Sequence, residues 1–321
     1  MMMQAAVLAA PWHFALRAAE IPEPGPGQVR IRLEGSGVSA SSIPLWQGRA
    51  RFTHPQADGM PGHEGWGYID ALGDGVSGLR VGDRVTAMTH RAFAEYDIAS
   101  ADAVVPVPAV LDNVPFPGEP FGAAFNIFAR ADVRPGDTVA IIGIGFVGAV
   151  LTRLVSSAGA RVIALSRRSS SLRVAREMGA LERVSLRKGD RAAVVRRVGE
   201  LTGNRLCERV IECVGAQETL DLAGELTAER GRLTIAGFHQ DGLRQVNMSL
   251  WNSRGLDVVN AHERDKVEYV QGIRAAANAL AAGVLDPLPL LTHRYPLHKL
   301  DDAFRATVER SDGFVKALVF A

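Results

Sequence analysis

Cysteine is almost missing from this chain: only Cys207 and Cys213 occur in 321 residues. That excludes a disulfide framework and a four-thiolate zinc knot. No apolar run reaches the ~18 residues that would indicate a membrane span. Residues 1–27 show no basic leader ahead of an apolar stretch, so no signal peptide is expected. Charge of one sign is also missing, with 36 Lys plus Arg against 35 Asp plus Glu and a net charge of +1. A nucleic-acid binder relying on bulk positive charge is thereby excluded. What is present, 47% apolar and 22% charged residues, is an ordinary globular balance over a length suited to about two domains. The expectation is a cytoplasmic protein acting on a small molecule, with neither nucleic acid nor membrane as partner.

The first third is broken by turn formers: Pro22, Pro24 to Gly27, Gly35, Gly37, Gly73, Gly75, Gly78 and Gly82. Short runs at 28–33, 67–72 and 83–88 lie between them, alternating or rich in β-branched residues, and predict a β-rich, barrel-like domain. The character changes near Pro115 to Pro120. From Phe121 onward strands at 138–142, 161–165, 209–213 and 232–236 alternate with helical segments, which predicts an α/β fold with a doubly wound parallel (Rossmann) sheet. The tail reads as a helix at 267–282, a Pro-rich link, a helix at 300–309 and a strand at 315–320.

The sharpest signal is Gly143-Ile144-Gly145-Phe146-Val147-Gly148, which follows the apolar strand 138–142 and opens a helix read as 149–158. In that context the motif predicts a dinucleotide-binding turn. Gly143 makes the tight bend, Gly145 admits a pyrophosphate, and Gly148 lets helix and strand approach. The helix N-terminus faces the phosphate charge. About 20 residues on, Ser166-Arg167-Arg168 stands where an acidic residue would hold a ribose 2′-hydroxyl. Guanidinium groups grip a phosphate, so NADP(H) is expected over NAD(H).

With these residues, the chain resembles the medium-chain dehydrogenase/reductase superfamily. The likeness is carried by residues 37–42 (GVSASS), 61–65 (PGHEG), 78–85 (GLRVGDRV), 94–96 (AEY) and 134–139 (RPGDTV), which leads into the glycine turn. The resemblance implies a GroES-like catalytic domain, residues 1–120 with 262–321, around a Rossmann cofactor domain, residues 121–261, with the substrate cleft between them. Zinc-dependent members hold a catalytic metal with a cysteine in a Gly-hydrophobic-Cys-Gly-Thr-Asp pattern; here Ser39 occupies that place. His63 and Glu64 match Gly-His-Glu, and Glu119 matches Glu-Pro-Leu of the polyol branch. A hydroxyl is a far poorer zinc ligand than a thiolate. The cysteine-rich structural-zinc lobe is also absent. A zinc-free enzyme is therefore expected, with His63, Glu64 and Glu119 as the remaining candidate metal set.

Without metal, a side chain must move the proton. The candidates are His63, tuned by Glu64 or Glu119, together with Ser41, which matches the family's proton-relaying hydroxyl, and His90, where the resemblance puts the pocket wall. Leu45, Trp46, Thr89 and Trp251 are read as cleft lining. Val214, Gly215 and Gly237 match strand ends near the nicotinamide. The strand 256–260 matches the segment that pairs across dimers, so a homodimer is expected. Three readings stand: NADP(H)-dependent carbonyl or alcohol chemistry, reduction of a conjugated C=C bond by an enoyl- or quinone-reductase type, and a catalytically idle NADPH-binding protein.

Overall fold

The computed structural model describes residues 1–186 and 190–321. In chain order its strands are β1 (Met2–Ala10), β2 (His13–Glu20), β3 (Gln28–Gly37), β4 (Gly65–Leu72), β5 (Arg84–Ala87), β6 (Tyr96–Ser100), β7 (Val104–Pro106), β8 (Thr138–Ile142), β9 (Arg161–Ser166), β10 (Glu182–Ser185), β11 (Cys207–Glu212), β12 (Thr227–Ile235), β13 (Asp257–Asn260), β14 (His293–Pro296) and β15 (Ala317–Phe320). The chain divides into two compact units, one of residues Met1–Gly122 with Lys266–Ala321, the other of Ala123–Asp265.

The first unit is built on a seven-stranded sheet in the order β14-β15-β3-β4-β5-β7, with β6 pairing β3. One core lies beneath β3, β4 and β5, where Val29, Ile31, Ile69 and Val85 are sealed from solvent. A second joins Trp46, Phe93 and Phe304 to Val319 of β15. Each such side chain contributes roughly 1.5–3 kcal/mol on burial. Trp46 is 0% exposed and donates its indole N–H to Asp301, while Leu45 and Thr89 are also buried. These three residues, read from sequence as cleft lining, are buried: Leu45 and Trp46 because the short helix Ile43–Trp46 turns its apolar face inward, Thr89 because its hydroxyl accepts from Gly65 N at 3.1 Å.

The second unit carries a six-stranded, all-parallel sheet in the order β10-β9-β8-β11-β12-β13. In order of appearance this is 3-2-1-4-5-6, whose winding reverses between β8 and β11. Strands buried on both faces read as continuous apolar runs, and Val139 to Ile142 are all 0% exposed. β10, Glu182-Arg183-Val184-Ser185, buries only Val184 and gives no such run, so it is absent from the sequence reading. β1 and β2 escaped it too, since their alanines carry no strand preference. Among the described residues, no helix is long and apolar enough to cross a membrane.

Candidate active site

The glycine turn closes β8 and opens the helix Phe146–Ser157. The helix starts three residues earlier than expected because Gly145 is its N-cap and the rest of the motif already turns helically. Gly143 has φ +96°, a left-handed conformation, and its N–H donates to Leu165 O at 2.9 Å. A Cβ on Gly148 would stand 2.1 Å from Gly143 O, so strand and helix meet backbone to backbone. A Cβ on Gly145 would meet nothing within 4 Å. The side chains of Ile144 and Phe146 are buried. This geometry can seat an anion: the amides of a helix's first turn have no intrahelical carbonyl to bond, and there is space beside Gly145.

At the end of β9, Ser166 is buried and its Oγ accepts from Arg168 N at 3.4 Å. Arg167 is exposed and Arg168 half-buried, at the start of the helix Ser169–Glu177. No acidic side chain occupies this turn. The ends of β11 and β12 lie next in the sheet, with Val214, Gly215 and Gly237 in the turns that follow them. Val214 Cγ2 lies 2.4 Å from where a Gly143 Cβ would be, so this turn abuts the anion cradle.

In the first unit, His63, Glu64 and Glu119 each offer a ligand atom within 4.8 Å of the others. Thr86 assembles them. Its buried hydroxyl donates to Gly65 O and accepts from Gly118 N, both at 3.0 Å, tying the neighbour of Glu64 to that of Glu119. His63 Nδ1 donates to Pro61 O at 2.9 Å, which leaves Nε2 as the free lone pair. Burial pushes the Glu119 carboxyl above the usual carboxylate range, the Glu64 charge adds to this, and Tyr269 donates its hydroxyl to Oε1. Glu64, 1% exposed, faces the ammonium of Lys316 at 2.7 Å from Oε1 and 2.6 Å from Oε2. Only the first contact has hydrogen-bond geometry; Oε2 sits beside the charge without a directed donor. A Cβ on Gly37 would fall 1.9 Å from that oxygen, so glycine is required there.

Lys316 and Tyr269 escaped sequence reading. A lone lysine inside the apolar stretch Phe314-Val315-Lys316-Ala317-Leu318 was the available signal for the first. Ser39 caps the short turn Ala40–Ser42: its Oγ accepts from Ser41 N at 3.3 Å and lies 2.9 Å from Ser41 Oγ. His90 lies elsewhere. It is exposed in a groove with Met3, Glu20, Arg91 and Asp97, and its N–H donates to Asp97 at 3.1 Å.

Two family models match in the order of the chain: an alcohol dehydrogenase GroES-like domain over residues 25–109 and a zinc-binding dehydrogenase domain over 147–278. The chain is 27% identical to a sorbitol dehydrogenase of Halalkalibacterium halodurans, covering 92% of each. It is 25% identical to an L-threonine 3-dehydrogenase of Bacillus subtilis, covering 90% of each. A structure described as a zinc-binding dehydrogenase of Sinorhizobium meliloti 1021 bound to NADP superposes with TM-score 0.87 at 26% identity, covering 100% of both chains. The fold is shared with 2R,3R-butanediol dehydrogenase of Bacillus subtilis at TM-score 0.85 and 22% identity. The chain belongs to the medium-chain dehydrogenase/reductase superfamily and is an oxidoreductase of its alcohol and polyol dehydrogenase type.

Proposed function

We propose that the chain moves hydride between NADP(H) and a carbonyl or alcohol substrate without zinc. The observation that carries this is the open cradle at Gly145, at the reversal of a 3-2-1-4-5-6 sheet, followed one strand later by Ser166-Arg167-Arg168 in place of an acidic residue. When bound, the nicotinamide accepts or donates the hydride; the chain's own residues orient it and handle the proton. Arg167 and Arg168 supply charge for a 2′-phosphate. His63 has its Nδ1–H fixed on Pro61 O, so Nε2 takes the proton from an alcohol and returns it to a carbonyl oxygen.

The donor set fits zinc poorly. The thiolate position is a serine whose hydroxyl is engaged by Ser41, and Glu64 is already neutralised by Lys316. A dication at Glu64 would be opposed by an ammonium on the same carboxylate. Three nitrogen and oxygen donors remain within 4.8 Å, so metal analysis of purified protein is the direct check. It should find well under one zinc per chain; stoichiometric zinc would overturn the zinc-free assignment. Among the described residues β13 is the sheet's outer strand with one neighbour, β12, which supports the homodimer expected from the family.

The deciding experiment follows NADPH oxidation against ketones, aldehydes, enones and quinones. Turnover of ketones or aldehydes with a strong preference for NADPH is expected, and Arg167→Ala with Arg168→Ala should abolish the preference. A preference unchanged by both substitutions would remove the 2′-phosphate assignment. Consumption only with enones or quinones would redirect the chemistry to C=C or quinone reduction.

A further inference from the structure

At the carboxyl end of β11 the side chain of Glu212 is 0% exposed and lies in the sheet's interior. Both its oxygens accept hydrogen bonds: Oε1 from Val214 N at 2.7 Å, Gly215 N at 2.9 Å and Thr219 Oγ at 2.8 Å, Oε2 from His239 Nε2 at 3.1 Å. The imidazole's other nitrogen, Nδ1, accepts from Arg244 Nε at 2.8 Å. Since Arg244 can only donate, Nδ1 carries no proton, and Nε2–H is the donor to Glu212. Arg244 also donates to Gly215 O at 2.9 Å and pairs with Asp241. A buried carboxylate thus reaches a guanidinium through one neutral imidazole, and this chain of contacts spans the loop between Gly237 and Asn247.

Close packing makes this geometry rigid. A Cβ on Gly237 would fall 2.2 Å from Gly215 N and 2.6 Å from Glu212 Oε2, and one on Gly215 2.7 Å from Phe238 O. The two turns beside the anion cradle therefore touch through bare backbone. Besides His239, the far side of the loop is tied back by Arg244 to Gly215 O and by the paired Gln217 and Gln245.

We infer that His239 is a positioning residue for the nicotinamide end of the cofactor, holding the turns after β11 and β12 in register by joining Glu212 to Arg244. The inference rests on the NADP(H) reading above. It requires a neutral imidazole: protonation at Nδ1 would point a donor at the Arg244 donor and break the chain. The charged groups bonded to the ring are Glu212 from β11 and Arg244 from the loop, and Arg244 is paired in turn with Asp241. His262, after β13, bonds Gly237 O at 3.2 Å, and its ring lies 5.4 Å from that of Phe238, tilted by 51°.

The test compares the wild type with His239→Leu and His239→Gln. Glutamine can donate to Glu212 and accept from Arg244 but cannot titrate. Dissociation constants for NADPH are read by fluorescence from about pH 5.5 to 8.5, beside thermal unfolding. His239→Leu should bind NADPH at least about tenfold more weakly, the equivalent of one hydrogen bond to a charged group. His239→Gln should restore affinity to within about threefold. The wild type should lose affinity on acidification beyond the loss seen for His239→Gln, because only the imidazole can take up a proton at the nitrogen facing Arg244; ligand effects are common to both. Should His239→Leu fail to fold, the pH comparison with His239→Gln decides alone. Wild-type affinity from the leucine variant, no rescue by glutamine, or superimposable pH profiles would each overturn the inference while leaving the cofactor assignment standing. A wild type that binds no pyridine nucleotide would remove that assignment and the inference with it.

Discussion

Replacing Lys316 by methionine removes the ammonium paired with the buried carboxylate of Glu64. Glu64 is 1% exposed and the Lys316 side chain 7%, so water cannot take over solvation of the charge left behind. The two groups meet at 2.7 and 2.6 Å, and Gly37 closes one side so tightly that the carboxylate cannot swing away. Breaking a buried pair by deleting one partner costs about 3–5 kcal/mol, whereas exchanging both partners for apolar residues is often neutral. Lys316→Met should therefore lower the unfolding midpoint by roughly 6–20 °C, at about 2–4 °C per kcal/mol for a unit of this size. The double variant Glu64→Leu with Lys316→Met should recover most of the loss. Urea unfolding followed by tryptophan fluorescence reports mainly on this unit, since Trp12, Trp46 and Trp66, three of the four tryptophans, lie in it and Trp251 in the other. A zinc titration extends the test. With the ammonium gone, His63, Glu64 and Glu119 hold a cation without opposition, so zinc should restabilise Lys316→Met by mass action and leave the wild type unmoved. A single variant within about 1 kcal/mol of wild type, or a double variant no better than the single, would refute the account of this pair.

Two further outcomes follow from particular residues. Gly145→Ala meets nothing within 4 Å, so its unfolding midpoint should stay within about 2 °C of wild type while NADPH affinity falls at least tenfold; unchanged affinity would move the phosphate site elsewhere. Burial raises the Asp97 carboxyl above its usual range despite backbone donors from His90, Arg91 and Ile98. The native state therefore holds this proton to higher pH than the unfolded chain does. Its stabilising contribution is complete below the unfolded aspartate range and declines as pH rises through the raised native value. Asp97→Asn should remove that decline, visible as a flatter stability curve on the acid side of neutrality; a curve parallel to wild type would contradict it.

The cofactor half of this protein is written in contiguous residues. The apolar run 138–142, the three glycines after it and the arginines at 167 and 168 are each local, and local periodicity and steric need suffice to read them. Ser39 in a thiolate's place is equally plain in one dimension. The other half was decided by tertiary structure. Lys316 meets Glu64 across 252 residues, Tyr269 meets Glu119 across 150, and Glu212 finds His239 across 27. No periodicity encodes such partners, because a buried charge selects its counter-ion by where the sheet closes and which glycine leaves room. Leu45 and Trp46 show the same limit from the opposite side. Their apolar character foretold contact with something, and only the packing of Phe93 and Phe304 around them determined that this was the core.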